Sequence, residues 1–545
     1  MAISHSSKGG GWITIPFIAA ALAGLTLAAG GWMNNIIVYL ITEFNVKSID
    51  AAQIFNVING CATMFPIVGA IIADSFLGCF AVIWISSLVS LLGIILLTLT
   101  ATINTLRPVP CEQDVSGICG GPSNAQYTIL YIALTLATIG VGGTRFTLAT
   151  MGADQLSKPK HQQSFFNLFV FTLYSASIVS ATVIVYVQDE VSWGLGFGLC
   201  LATNMVGLVF FLLGAKLYRQ VKPGGSPFVV MARVVVAAFR NRRASVSSDT
   251  DEYHGHVIAT PSSSFKFLNK AALKTEGDVN ADGSIANPWK ICTVRQVEDL
   301  KILIKIFPLW STGIFLCTPL AIQFSLATIQ ALAMDRHLGQ HFKIPAGSMF
   351  VFVLISVCIT IILLDRFLYP LIEILIGRPT TPLERVGVGH FINVFSMAVS
   401  ALVESRRLKE SAIKPMSTPV LWLAPQLVLA GVGEAFHFPG NSGLYYQEFP
   451  DSLKTTSTGA LAMFIGIAFY LSTAMVGVLR KTTEWLPDNI DKGRLDIVFW
   501  LLFWIGLLNF GYYLVCAHFY KYRVLDDDTP DEVMIKNING DQDSA

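Results

Sequence analysis

Two charged side chains lie deep inside apolar runs of this chain: Arg145 in IGVGGTRF and Glu434 in GVGEAFHFPG. A charge in hydrocarbon costs on the order of 2.5–3.5 kcal/mol on insertion scales, so such a residue is a functional candidate by default. Two interpretations stay open. Arg145 can give a cavity the positive charge that attracts an anion, or it can pair with Glu434 and close the cytoplasmic side. The two are compatible if an anion binds only while the pair is broken.

Two histidines accompany these charges. His437 follows Glu434 by one turn, and His390 lies near the start of another apolar run. We predict satisfied or interfacial histidines at both positions rather than proton carriers. No CxxC or Cys/His cluster indicates a metal site, and no cofactor is expected.

The composition identifies the solvent in which these charges must lie. Hydrophobic residues make up 53% of the 545 residues and charged residues 13%, against about 25% charged in a soluble domain. Such a chain cannot cover a soluble surface with charge, which indicates a membrane protein with many spans. The formal net charge of +1 gives no basic excess for nucleic acid.

A membrane span needs about 20 apolar residues, and twelve candidate spans are present. They fall at 14–41, 51–74, 77–103, 125–151, 164–188, 192–218, 300–333, 347–364, 386–404, 419–444, 457–479 and 496–520. Arg145 and Glu434 lie in the fourth span of each set of six, on counterpart helices. Two six-span halves joined by a long linker are typical of alternating-access transporters, whose substrate site lies between the halves.

The predicted organisation has five parts. They are a cytoplasmic N-terminus (1–13), a six-helix bundle (14–218), a cytoplasmic linker (219–299), a second six-helix bundle (300–522) and an acidic cytoplasmic tail (523–545). The linker begins with SPFVVMARVVVAAFRNRR, which predicts an amphipathic helix at the membrane surface, in contact with lipid. RRAS in the same segment makes Ser245 a candidate kinase site.

Cys111 and Cys119 lie in a polar loop between the third and fourth spans. If that loop is extracytoplasmic, the two can form a disulfide; otherwise they are free thiols.

Several motifs together resemble the plant nitrate and peptide transporter family (the proton-dependent oligopeptide transporters), which has the major facilitator fold. GGWITIPFIAA opens the first span, GAIIADSFLG closes the second, FPLWSTGIF begins the seventh and GVGEAFHFPG occupies the tenth. The similarity runs from about residue 10 to 522. It implies an all-α membrane protein with 12 transmembrane helices in two six-helix halves.

The departures from the family pattern concern the proton and the substrate. Where proton-coupled members carry E-x-x-E-R, this chain has Leu22, Leu25 and Thr26, none of which can hold the coupling proton. Arg145 replaces the family's fourth-span lysine. Leu320 aligns with a histidine assigned to nitrate in one branch, and Tyr174 begins the segment that replaces Asn-x-Gly, which weighs against peptide transport.

Loss of the first-span motif resembles the nitrate excretion transporter subgroup. That resemblance implies low-affinity, proton-uncoupled efflux of nitrate, and of chloride as a second small anion, across the plasma membrane. Arg145 would attract the anion and Glu434 would gate the cytoplasmic side. The alternative is a proton-coupled symporter of a larger organic solute such as a glucosinolate, hormone or peptide. A multi-span enzyme is disfavoured because no acid–base or nucleophile cluster is present, whereas a nitrate sensor without transport stays open.

Overall fold

The structure, a computed structural model, describes residues 9–109, 120–220, 225, 227–243, 252–255, 261–274, 285–449 and 457–520. Four predicted features lie wholly or partly outside these residues. They are the Cys111–Cys119 disulfide, the Ser245 phosphorylation site, the first eight residues of the cytoplasmic N-terminus and the acidic tail. The described chain is almost entirely helical, as predicted, with one two-stranded hairpin.

Sixteen α-helices are described. The first seven are α1 (Ile15–Asn34), α2 (Ile36–Thr42), α3 (Ser48–Ile72), α4 (Gly78–Thr102), α5 (Asn124–Asp154), α6 (Pro159–Val179) and α7 (Trp193–Leu213). Linker helices α8 (Pro227–Arg240) and α9 (Lys266–Asn269) follow, and then α10 (Val294–Leu332). The hairpin strands are β1 (His337–Leu338) and β2 (Phe342–Lys343). The remaining helices are α11 (Val351–Leu363), α12 (Tyr369–Ile376), α13 (Pro382–Ile413), α14 (Ala424–Glu448), α15 (Ser457–Thr482) and α16 (Leu495–Phe519).

Eleven continuous helical stretches of the described chain are long and apolar enough to cross a membrane. One of them, Ser48–Thr102, has 55 residues, about 80 Å of helix against a hydrocarbon core of about 30 Å. It turns back at Gly78, whose φ of +78° is accessible to glycine at no steric cost. It therefore crosses twice, and the total is the twelve crossings that hydropathy predicts.

The crossings form two bundles of six. In the first bundle, α4 packs along α5 and α7, and α1 packs along α6 and α7. In the second, α13 packs along α14 and α16, and α10 packs along α15 and α16. The bundles meet where α3 contacts α15 and where α6 contacts α11. This is the arrangement of a major facilitator fold, as predicted.

Because successive crossings alternate in direction, the connections divide between two faces. We call one the loop face; it carries the connections at 43–47, 333–345 and 483–494. The opposite face, which we call the linker face, carries the start of α1, the end of α16 and the long linker.

The linker is not only a polar connector. In its described part, α8 and residues 268–273 bury Val234, Ala237, Leu268 and Leu273 in a small core against the first turns of α10. Lys301 of α10 is fully buried there; it pairs with Glu298 at 2.7 Å and donates to the carbonyl oxygen of Ser262 at 3.1 Å. The linker thus forms a folded unit attached to the second bundle.

Candidate functional site

A cavity of about 560 Å³ separates the two bundles, which is within the range of small-molecule sites. Among its described lining residues, only Arg145 and Glu434 are charged. The first bundle contributes most of the polar lining, namely Thr26, Asn34, Asn59, Thr63, Ser90, Thr144 and Ser177. The second bundle contributes a mostly apolar surface that includes Leu320, Phe324, Met349, Phe350, Leu427, Phe438 and Phe469.

Arg145 lies on α5, about 14 Å along the helix from its end at Asp154 on the linker face. Its side chain is exposed to the cavity and forms no ion pair or hydrogen bond within the described chain. A guanidinium has five N–H donors in a planar fork that matches planar oxyanions. An unpaired guanidinium in a cavity between helices is therefore suited to bind an anion.

The neighbouring polar groups are mostly occupied. Asn59 donates to the carbonyl of Phe55 at 2.9 Å, Thr63 to that of Asn59 at 2.7 Å and Thr144 to that of Gly140 at 3.1 Å. Each hydrogen bond stays within one helix; the bonds of Thr63 and Thr144 use their single hydroxyl protons, whereas Asn59 keeps a second N–H. Arg145 consequently has little competition as the group that binds a negative charge.

Glu434 does not pair with Arg145 in this structure. It lies on α14, about 21 Å from the helix end at Glu448, nearer mid-membrane than Arg145. The two counterpart residues therefore differ by about 7 Å in their distance from the linker-face end of their own helix. In this conformation Arg145 and Glu434 are not paired with each other, and both side chains line the cavity. It therefore corresponds to the interpretation in which the pair is broken and an anion can bind.

The other predicted site residues fall in two places. Leu22, Leu25, Thr26 and Leu320 line the cavity, so the positions that would hold the proton-coupling motif do face it. Tyr174 is partly buried against an apolar cluster that includes Val353, Val357 and Leu427, and it is not a lining residue, although Leu173 and Ser177 are. Its phenol is nevertheless within electrostatic range of both Arg145 and Glu434.

The two histidines lie outside the main cavity, within the second bundle. His390 stacks on Tyr513 with ring centroids 4.5 Å apart, and its ring lies 5.1 Å from that of His437. The Nε2 atom of His437 contacts the Nδ2 atom of Asn441 at 3.1 Å. His390 and Leu320 also line a second cavity of about 10 Å³, room for one water.

The loop face is where the two bundles are joined by charge. Arg336 pairs with Asp189 at 2.8 Å, Lys343 with Glu190 at 3.7 Å, Lys47 with Asp488 at 2.8 Å, and Arg480 with Asp50. The β1–β2 hairpin holds Arg336 and Lys343 on either side of its turn. At the linker face, the ion pairs Lys301–Glu298 and Arg378–Glu384 each stay within the second half of the chain.

Close packing also seals the cavity below the loop face. Asn35, where α1 gives way to α2, lies against Gly347 just before α11. A Cβ atom at Gly347 would lie 2.9 Å from the carbonyl oxygen of Asn34 and would clash with the Asn35 side chain. Asn56 on α3 also donates to Ser325 on α10 at 3.5 Å. The cavity is thus closed toward the loop face and extends toward the linker face, where it reaches Leu461 near the start of α15.

Sequence reasoning missed the apolar wall and the loop-face ion pairs. Phe324, Phe350 and Phe438 look like any core phenylalanine in a hydrophobic run. The charges at the loop face lie in connections, where charge is ordinary. Only Asp189 and Glu190, placed directly after an apolar span, gave a signal that could have been followed.

A bundle pair of this kind, with one inter-bundle cavity closed at one face, defines a polytopic transporter of the major facilitator fold. A model of the POT family matches residues 80–491. Curated relatives from Arabidopsis thaliana match nearly the whole chain. The chain therefore belongs to the POT family, and among its relatives to the NRT1/PTR proteins. Membership makes it a transporter rather than an enzyme, as predicted.

The similarity to these relatives is extensive. The protein named NRT1/ PTR FAMILY 2.7 is 54% identical over 534 residues, covering 96% of this chain and 95% of the relative. NRT1/ PTR FAMILY 2.6, also from A. thaliana, is 52% identical over 533 residues, with the same coverage.

Solved structures give the same fold. An auto-inhibited POT family peptide transporter has a TM-score of 0.68 at 17% identity, covering 95% of this chain and 99% of its own. A peptide transporter POT in complex with sulfate has a TM-score of 0.64 at 14% identity, covering 94% and 98%. At these identities the likeness concerns the fold alone.

Proposed function

We propose that this protein is a low-affinity, proton-uncoupled transporter of nitrate that works mainly in efflux across the plasma membrane, with chloride as a second small anion. The main support for this proposal is the guanidinium of Arg145, which lies in the inter-bundle cavity without a partner in the described chain. A single cation of this kind can bind a planar monovalent oxyanion through charge-assisted hydrogen bonds.

The part of the cavity lining that comes from the first span supports transport without proton coupling. Leu22, Leu25 and Thr26 face the cavity where proton-coupled relatives would have carboxylates, and none of the three can titrate. A proton-free transporter moves an anion down its electrochemical gradient. A negative cell interior drives a monovalent anion outward by about 2.3 kcal/mol per 100 mV.

The closed loop face supports loading from the linker side. If the linker is cytoplasmic, as its basic residues indicate, the cavity opens to the compartment from which efflux starts. An anion on Arg145 would then be released outside after the loop-face ion pairs open and the linker face closes. In that closed state Glu434 and Arg145 could approach each other, which gives Glu434 its proposed gating role.

A second candidate keeps the transporter class and changes the cargo. A volume of about 560 Å³ is far larger than one nitrate ion needs, and the wall with Phe324, Phe350 and Phe438 suits an apolar body. Glu434 is the one carboxylate among the described lining residues and would carry the proton. These observations favour an organic solute taken up by proton symport.

One experiment separates the two. The full chain is reconstituted in proteoliposomes, and nitrate flux is followed under an imposed voltage without a pH gradient, then under a pH gradient at zero voltage. The proposal expects flux under voltage alone and none from the pH gradient. Flux that follows the pH gradient and ignores voltage would favour the symporter, and no nitrate flux in either arm would reject nitrate as cargo.

A further inference from the structure

Helix α8 has two apolar faces, and only one of them is covered. Val234, Ala237 and Ala238 are fully buried in the linker core. On the other side, Val235 is 51% exposed and Phe239 is 60% exposed. The second face, which we call the outer face of α8, has no protein covering it in the described part of the chain.

The outer face points toward the transmembrane bundles. At 100° per residue, Phe228 lies on the same side of α8 as Val235 and Phe239. The Phe228 ring packs against Gly459 in the first turn of α15. One side of α8 thus contacts α15 at the start of the helix, through Phe228, and is exposed toward the end of the helix, at Val235 and Phe239.

The depth of α8 along α10 is consistent with this orientation. α10 has 39 residues, about 58 Å of helix, so it extends well beyond a hydrocarbon core of about 30 Å. Phe307 of α10 is 57% exposed on the bundle surface, as expected of a lipid-facing residue. Val297, which packs in the linker core beside α8, lies about 15 Å further along the axis. Since α8 is itself about 10 Å thick, its outer face reaches the headgroup layer.

Basic and aromatic side chains surround the outer face. Arg240, Arg242 and Arg243 are exposed at the end of α8, and the Arg242 guanidinium lies 4.6 Å from the Phe239 ring centroid. Arginines beside aromatic and aliphatic residues are the composition of helices that lie in a membrane interface.

We propose that the outer face of α8, with its flanking arginines, docks on anionic lipid of the leaflet at the linker face. Val235 and Phe239 enter the boundary between headgroups and acyl chains, and the arginines bind lipid phosphates. Because α8 and α10 share one core, lipid bound there holds the linker unit, and through α10 the second bundle, against the membrane surface.

The test uses the full chain in nanodiscs of phosphatidylcholine alone or of phosphatidylcholine with phosphatidylglycerol. Hydrogen–deuterium exchange is measured on peptides covering 227–243. We expect roughly tenfold slower exchange with phosphatidylglycerol, and loss of that protection at high salt. Soluble glycerol phosphate added to the neutral nanodiscs should not reproduce it.

A double variant, Phe239→Ser with Arg242→Gln, should abolish the lipid-dependent protection. Arg295→Gln is the matched control: Arg295 is exposed in the first turn of α10, so it removes a charge from the same unit away from the outer face. Exchange on α9 and α10 reports whether the unit stays folded in each variant. Equal exchange in the two lipid mixtures overturns the proposal, as does protection by glycerol phosphate or equal loss in Arg295→Gln.

Discussion

The two six-helix bundles share one cavity but present opposite surfaces to it. The first bundle supplies Arg145 and, around it, amides and hydroxyls such as those of Asn34 and Ser177. The second supplies phenylalanines and leucines, and Glu434 is the one charged residue among its described lining residues. The difference suggests a division of labour: one bundle binds the charge of the cargo, and the other covers it with apolar surface that excludes water.

The bundles also differ in how they meet at the two faces. At the loop face, four ion pairs cross from one bundle to the other. At the linker face, the ion pairs Lys301–Glu298 and Arg378–Glu384 stay within the second half of the chain, and a folded linker is attached to the second bundle by a core. In the proposed alternating-access cycle, the loop-face ion pairs are contacts that must open.

The largest effect is expected from removing the positive charge that the first bundle contributes to the cavity. Arg145→Ala removes the cation of the polar wall, and with it charge-assisted hydrogen bonds worth about 1.5–3 kcal/mol. Nitrate flux in proteoliposomes should fall roughly ten- to a hundredfold at a concentration below saturation.

Arg145→Lys is the control for that variant. It keeps the charge and loses the planar fork, so it should retain part of the flux. Because Arg145 faces an open cavity and has no partner in the described chain, neither variant leaves a stranded charge. Undiminished flux in Arg145→Ala, at equal amounts of reconstituted protein, would mean that the anion binds elsewhere.

A smaller effect is expected from opening the loop face. The Arg336 and Asp189 side chains are only 12% and 11% exposed, so Asp189→Asn leaves a largely buried guanidinium without its charged partner. We expect a cost of about 1–2 kcal/mol to the closed loop face, a factor of roughly 5–30 in the ratio of open to closed molecules. Spin labels at Ile103 and Ile413, on opposite bundles, would report it as a larger population of long distances.

The charge-swapped variant, Asp189→Arg with Arg336→Asp, is the control here. It restores an ion pair in the opposite sense and should return the distance distribution toward that of the wild type. If the single variant leaves the distribution unchanged, the hairpin contact does not hold the loop face closed.

The sequence predicted the architecture well because membrane spans depend on local composition. Runs of about 20 apolar residues located all twelve crossings, although helix ends moved: α10 begins at Val294, where the sequence placed a span from 300. The sequence did not predict that the linker folds as a unit, because that depends on contacts between distant segments and not on local composition. Its core combines α8 with residues near 270 and 294, which are far apart along the chain, so no local pattern reveals that they pack together.

The site was predictable only as a set of residues. Scarcity of charge pointed to Arg145 and Glu434, and both face the cavity. Whether they pair depends on their relative depth on α5 and α14 and on the conformation, and neither is contained in the one-dimensional pattern. The resemblance makes Tyr174 a candidate substrate contact, but its side chain packs against the apolar cluster of Val353, Val357 and Leu427.

The Glu434→Gln variant tests the charge of the apolar wall. Two unit charges about 10 Å apart in water interact by about 0.4 kcal/mol. Removing this carboxylate should therefore raise nitrate affinity roughly twofold, because the anion no longer meets a like charge. Voltage-driven flux should persist without a pH gradient, because the proposed gating role of Glu434 involves no proton. A severe loss of flux, together with a lost response to a pH gradient, would instead identify Glu434 as the proton carrier of the second candidate.

The smallest effect is expected from Lys47→Ala at the same loop face. The Lys47 and Asp488 side chains are 62% and 41% exposed, and exposed pairs contribute about 0–1 kcal/mol. Asp488 also keeps Arg480 as a partner, so the substitution strands no charge, unlike Asp189→Asn. A contribution near the lower end of that range, about 0.4 kcal/mol, would change the ratio of open to closed molecules about twofold, and less still at high salt, where exposed pairs are screened. An opening as large as that of Asp189→Asn would show that the number of ion pairs, and not their burial, determines how firmly the bundles are joined.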